Sequence, residues 1–115
     1  IASSVAHDSH NIIAVGVDAS SIARAVNLII KEKGGVSAAD EHSEHILPLP
    51  VAGLMSADDG YKIAADYSRL DGVAKEMGSC LSAPYMTLSF MALLVIPHLK
   101  LSDCGLFDGD AFQLV

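Results

Sequence analysis

Five polar side chains in a row, His7-Asp8-Ser9-His10-Asn11, interrupt an apolar stretch near the start of this chain. Ile1, Ala2, Val5 and Ala6 precede them, and Ile12, Ile13, Ala14, Val15 and Val17 follow. Two β-prone runs joined by turn-forming residues read as strand, turn, strand. The strands are expected over residues 2–7 and 12–18. The second is apolar throughout, as in a strand covered on both faces. The five polar residues can all donate or accept hydrogen bonds, and three of them, His7, Asp8 and His10, can titrate or bind metal. A polar knot at such a place either caps a tight turn or lines a site.

The rest of the chain alternates between strand and helix periods. Ile22, Val26, Ile29 and Ile30 recur on one helical face. Ser20 or Ser21 is the expected N-cap, and Lys31, Lys33 and Gly34 supply a C-terminal signal. This predicts a helix over 20–33. A short strand is expected over 36–39, then a polar turn over 40–45. An extended segment follows over 46–49, and the alternating Pro48 and Pro50 make it an edge or an irregular connector. Ser56 and Asp59 have the spacing of a capping box. Ile63, Tyr67, Leu70, Ala74 and Met77 then mark a second helix over 57–77, closed by Gly78. The apolar segment 85–96 is ambiguous: Met86, Phe90 and Leu93 share a helical face, and Pro97 ends the run. It is expected to be buried. Residues 101–108 are turn-rich, and 111–115 read as a last short strand. The predicted class is α/β: a two-layer domain with a mixed sheet of four or five strands and two or three helices.

A chain of 115 residues fits one domain with a core. Aromatic residues are only 5% of it, so that core is built from Ala, Val, Ile, Leu and Met. A net charge of −7, from 14 acids against 7 bases, argues against nucleic acid and against an anionic membrane surface. The 85–96 run has too few apolar residues to span a bilayer, which needs about twenty. Cys80 and Cys104 stand far apart outside any C-x-x-C pattern and read as reduced thiols of a cytoplasmic protein.

His42-Ser43-Glu44 has the H-x-E form of the cytidine-type zinc deaminases. That chemistry needs a downstream P-C-x-x-C, which is absent, so the segment reads as an exposed acidic turn. His42 and His45 could still pick up an adventitious metal ion. His7 and His10 would lie on opposite faces of one straight strand, and only a turn lets both point the same way. With Asp8 they make a poor metal site alone, because three ligands from one turn leave the coordination unsupported. Two readings remain. In one, Asp8 or Asn11 bonds the turn backbone. In the other, the turn faces a pocket of a larger protein. Ser21 and Ser56 read as caps, and Gly16 lacks the context of a dinucleotide site. His98 shows no partner in the sequence and reads as a partly buried structural histidine.

The string SSVAHDSHNIIAVGVD, the Lys33-Gly34-Gly35 triplet, LPLPVAGLMS over 47–56 and the tail from Ala83 to Val115 resemble the C-terminal domain of bacterial adenine deaminases, of the amidohydrolase group. The resemblance runs the length of the chain. It implies a single domain over 1–115 belonging to a larger chain, an expectation that the start at Ile1, inside a strand, also raises. The family hydrolyses adenine to hypoxanthine and ammonia at a manganese or iron centre held by a (β/α) barrel with an H-x-H motif. No H-x-H occurs here, so the resemblance carries no catalytic residue and no metal ligand onto this chain. The implied role is to pack on the upstream barrel and help shape its site, with His7, Asp8, Ser9, His10 and Asn11 as the candidate turn facing it. A homo-oligomer is expected. The alternative is a non-catalytic α/β module for oligomerisation or interaction.

Overall fold

The computed structural model describes residues 1–115. Its chain order is β1 (Ala2–Ser3), β2 (Ile13–Ala14), α1 (Ala19–Glu32), β3 (Gly35–Ala39), β4 (Glu44–Pro48), α2 (Gly60–Glu76), α3 (Pro84–Met91), β5 (Leu99–Ser102), β6 (Gly105–Asp108) and β7 (Gln113–Leu114). The first four strands form one sheet in the order β2-β1-β3-β4, and the last three form a second, β5-β6-β7.

The α/β class expected from the sequence is the one observed. The sheet is not mixed, however: every strand pair is antiparallel. Nor is the arrangement two-layered. β3 is buried at all five positions because helices cover both its faces. On one face Ala2 and Ala39 pack with Ala25 and Ile29 of α1. On the other, Val36, Ala38, Leu47 and Leu49 pack with Leu70 and Ala74 of α2 and Tyr85 of α3. Two hydrogen bonds tie the layers through one residue. Ser37 Oγ donates to Ala25 O at 2.8 Å, and Tyr85 Oη donates to Ser37 O at 3.1 Å. Burial of the phenol, then the negative charge of the neighbouring groups, raises the Tyr85 pKa far above that of a free tyrosine.

The helix ends differ in detail from expectation. Asp18, not a serine, caps α1: its backbone is extended and its carboxylate accepts from Ser21 N at 2.8 Å. A carboxylate there also meets the positive end of the helix dipole. Lys33 in the left-handed region closes α1, one residue before the expected glycine. Asp59 caps α2 by accepting from the Tyr61 and Lys62 amides, while Ser56 only accepts from Asp58 N and takes no part in a capping box.

Four further expectations fail for physical reasons. The 12–18 run is paired only from Ile13 to Val15, and Val15 and Val17 are exposed, because β2 is an edge strand with no neighbour beyond it. The 2–7 strand likewise is short: Ser4 still bonds Gly35 in register with β3, and the chain turns away beyond it. Segment 85–96 is only half buried: Tyr85, Leu88 and Ser89 face the core, whereas Met86 and Phe90 face out. The turn-rich 101–108 stretch is a hairpin, with Leu101 opposite Leu106. No helix is long and apolar enough to cross a membrane.

Ile29 is 1% exposed at the centre of the α1 contact. Ile29→Asp would bury an unpaired charge at a cost of several kcal/mol. Thermal unfolding followed by circular dichroism should therefore show no cooperative transition for this variant. An unchanged melting temperature would show the helical face to be misassigned. A second expectation concerns acid. The Ser21 backbone amide holds the Asp18 carboxyl below its ordinary pKa. Its contribution is present above the unfolded value and is lost as pH falls through the lower folded value. The melting temperature should decline through that acidic window, and Asp18→Ala should decline less steeply there. Parallel curves for the two proteins would show that the cap carries no linkage.

Candidate functional site

Residues 7–11 leave the sheet just past β1, and their place is set by Ser4. This hydroxyl, 7% exposed, donates to Gly53 O at 2.6 Å and accepts from Gly35 N at 2.8 Å. It joins β1 to the start of β3 and to the 51–55 turn. The chain there is so tight that a Cβ on Gly34 would lie 2.3 Å from Gly53 Cα, and one on Gly35 would lie 2.4 Å from Leu47 O. Both glycines also have positive φ, at +132° and +154°, so no other residue fits either place.

From this anchor the backbone reverses in a single helical turn. His10 N donates to Ala6 O at 2.8 Å, and His10 itself takes a positive φ of 52°. The reversal is fastened to α3: His7 N donates to Ser89 O at 3.2 Å, and the His7 ring stacks on Phe90 with centroids 5.0 Å apart and 19° between planes. Ser9 and Asn11 line a cleft of about 310 Å³ between the turn and the second sheet, whose other wall carries Ala92, Leu101 and Asp103. Asp8 and His10 point to solvent.

The five expected site residues therefore stay together on one surface. Their side chains make no hydrogen bond within the protein, so neither Asp8 nor Asn11 bonds the turn backbone. That structural reading is corrected: the turn is held by main-chain bonds and by the His7 stack. Because four of the five residues are exposed, water satisfies them, and their polarity needs no buried partner. The surface offers carboxylate, imidazole, hydroxyl and amide groups side by side. It adjoins apolar side chains that face solvent, with Met86 50% and Phe90 42% exposed.

The other candidates lie elsewhere. His42 and His45 sit around the β3–β4 turn, where Asp40 organises the chain. The His42 amide, then the Ser43 amide and hydroxyl, hold the Asp40 carboxyl below its ordinary pKa. Arg24 reaches across from α1 to the Asp40 carbonyl and lies 3.6 Å from Glu44. His98 is neither buried nor unpartnered, since its Nδ1 meets Asp110 Oδ2. Asp110 lies past the β5–β6 hairpin, a position that spacing alone could not reveal. Cys80 and Cys104 are free and exposed. No three His, Cys, Asp or Glu side chains stand close enough together to hold a metal ion.

Two features of the site escaped sequence reasoning. The Ser4 bridge left no motif, although Gly34-Gly35 and Gly53 hinted at a close approach. The outward face of α3 read as core because its residues are as apolar as those facing inward.

The family model described as adenine deaminase C-terminal domain matches residues 1–113. Among curated relatives, the adenine deaminase of Sulfurovum sp. (strain NBC37-1) is 60% identical over the whole chain, and that of Salinibacter ruber is 58% identical. The adenine deaminase of Methanosarcina acetivorans is 52% identical, again over the whole chain. The chain spans only 21–22% of the length of these relatives. A match across nearly every residue, at these identities, places the chain in the adenine deaminase C-terminal domain family.

Proposed function

We propose that this chain is the C-terminal domain of an adenine deaminase, a single domain that packs on an upstream catalytic barrel and helps to shape its site. The observation that carries this reading is the family match over residues 1–113. In the complete enzyme, adenine would be hydrolysed to hypoxanthine and ammonia. A manganese or iron ion in the barrel would supply the activated water. The residues of this chain do not fit that ion, since they bring no three-ligand set together. No step of the reaction is assigned to them.

What this chain contributes is a surface. His7, Asp8, Ser9, His10 and Asn11 form a rigidly anchored polar turn beside Met86 and Phe90. An exposed apolar patch rimmed by polar groups is the usual form of a protein contact. Docked on a barrel mouth, the apolar residues would exclude water. The turn would present donors and acceptors to substrate, to bound water or to the groups that hold them. The rival reading, a module for homo-oligomerisation, draws on a different surface. Leu101 and Leu106 face each other on the second sheet and are both exposed, as is Leu99. The acidic net charge and the absence of a basic cluster favour neither nucleic acid nor membrane as a partner in either case. The cytoplasm is the proposed compartment, on the strength of the two free thiols.

The two readings separate in the full-length enzyme. His7→Ala or His10→Ala should lower kcat/KM by about tenfold or more, with metal content and subunit assembly unchanged. If both variants keep full activity, the turn has no role in the site. If instead Leu101→Glu dissociates the subunits with activity per folded subunit intact, the interaction module stands.

A further inference from the structure

The second sheet is joined to the rest of the protein by the covalent chain and by little else. No hydrogen bond and no ion pair links residues 99–115 to residues 1–91. Its strands are short, with four, four and two residues. A sheet of this size needs an apolar face out of water to be stable.

Only one of its faces is covered. Lys100 stands opposite Phe107, and Phe107 opposite Leu114. On that face Lys100 is 7% exposed, and its ammonium donates to Pro97 O at 3.3 Å. Phe107 packs edge-on against Phe112, with ring centroids 5.5 Å apart. Strand alternation places Leu99, Leu101 and Leu106 together on the other face. They are 55%, 79% and 39% exposed. Asp108, opposite Leu99, stands at the rim of the same face. Leu101 and Asp103 also line the cleft of about 310 Å³ whose far wall carries Ser9, Asn11 and Ile12. The leucine face therefore borders the polar turn.

Size and charge decide what covers it. Three leucines fall far short of the roughly 20 residues a side that hold two separate proteins together. A partner in the same polypeptide needs less contact, because the tether keeps its local concentration high. A second copy also meets a charge conflict. Residues 99–115 hold three aspartates and one base, Lys100, which is turned to the opposite face. Two copies packed through their leucines would set the Asp108 rims together with no cation between them, and like charges there oppose pairing.

We propose that the leucine face of the second sheet docks on another segment of the same polypeptide, an apolar stretch of the upstream domain edged with Lys or Arg. Leu99, Leu101 and Leu106 pack on its apolar part, and Asp103 and Asp108 meet its bases. The second sheet is thus an arm whose own stability comes from docking, and the arm and the turn hold the upstream domain from two sides of one cleft. The inference rests on the reading of the chain as one domain of a longer enzyme, since the chain spans only 21–22% of the length of its relatives.

The test reads amide hydrogen exchange at Lys100 and Phe107. Gly109 N donates to His98 O, so two residues further along the ladder Lys100 and Phe107 form the next hydrogen-bonded pair. Both amides should exchange about tenfold or more slowly in the complete enzyme than in the isolated 115-residue domain. Leu101→Glu should restore fast exchange in the complete enzyme, leave the isolated domain unchanged and leave subunit assembly intact. Equal exchange in the enzyme and the domain would overturn the proposal. Faster exchange of the variant in the isolated domain would also overturn it, because Leu101 would then serve the arm alone. Dissociation of the subunits by Leu101→Glu would overturn it in favour of a second copy. Protection of Met86 and Phe90 on α3 reports separately whether the upstream domain packs on the turn, so either reading can fail while the other survives.

Discussion

The hydroxyl of Ser4 is the interaction on which the position of everything functional depends. It accepts a hydrogen bond from the Gly35 amide and donates one to the Gly53 carbonyl, in a place too narrow for any side chain larger than hydrogen on Gly34 or Gly35. A buried hydroxyl with both roles filled is worth keeping, because losing it strands a donor and an acceptor out of water. It fixes where β1 ends and therefore where the 7–11 turn begins. Ser37 acts in the same way deeper in the core, joined to α1 through its hydroxyl and to α3 through its carbonyl. With few aromatic residues to fill space, this small-residue core relies on close backbone approach and a few placed hydroxyls rather than on bulk.

That economy leaves an uneven surface. The sheet is covered on both faces, yet the outward side of α3, the chain flanking β2 and the second sheet all present apolar groups to solvent. Such surfaces are concentrated where a partner belongs. The α3 surface is continuous with the polar turn through the His7–Phe90 stack, which couples a rigid recognition element to a patch that wants cover.

The legible portions of the fold were those with strong periodicity. The faces of α1 and α2 follow directly from Ile22, Val26 and Ile29 and from Ile63, Leu70 and Ala74. Asp59 lay at the right place for a cap, though its role was given to Ser56. What could not be read was which apolar run meets a partner. Val15 and Val17 have the composition of a doubly covered strand but lie on an edge, and Met86 and Phe90 have the composition of core but face out. Composition is blind to topology, and only the pairing of strands shows which neighbour is missing. The candidate turn was found because five polar residues stood between apolar ones. Its mode of attachment, main-chain bonds and a ring stack in place of side-chain caps, has no sequence signature.

On the proposed reading, the upstream barrel of the complete enzyme covers the turn and the outward face of α3. Hydroxyl-radical footprinting of the complete enzyme and of the isolated 115-residue domain measures this directly. Met86 and Phe90 should react readily in the isolated domain and be strongly protected in the complete enzyme, while Phe112, exposed beside the second sheet, reacts alike in both. Equal labelling of Met86 and Phe90 in the two proteins would contradict the account.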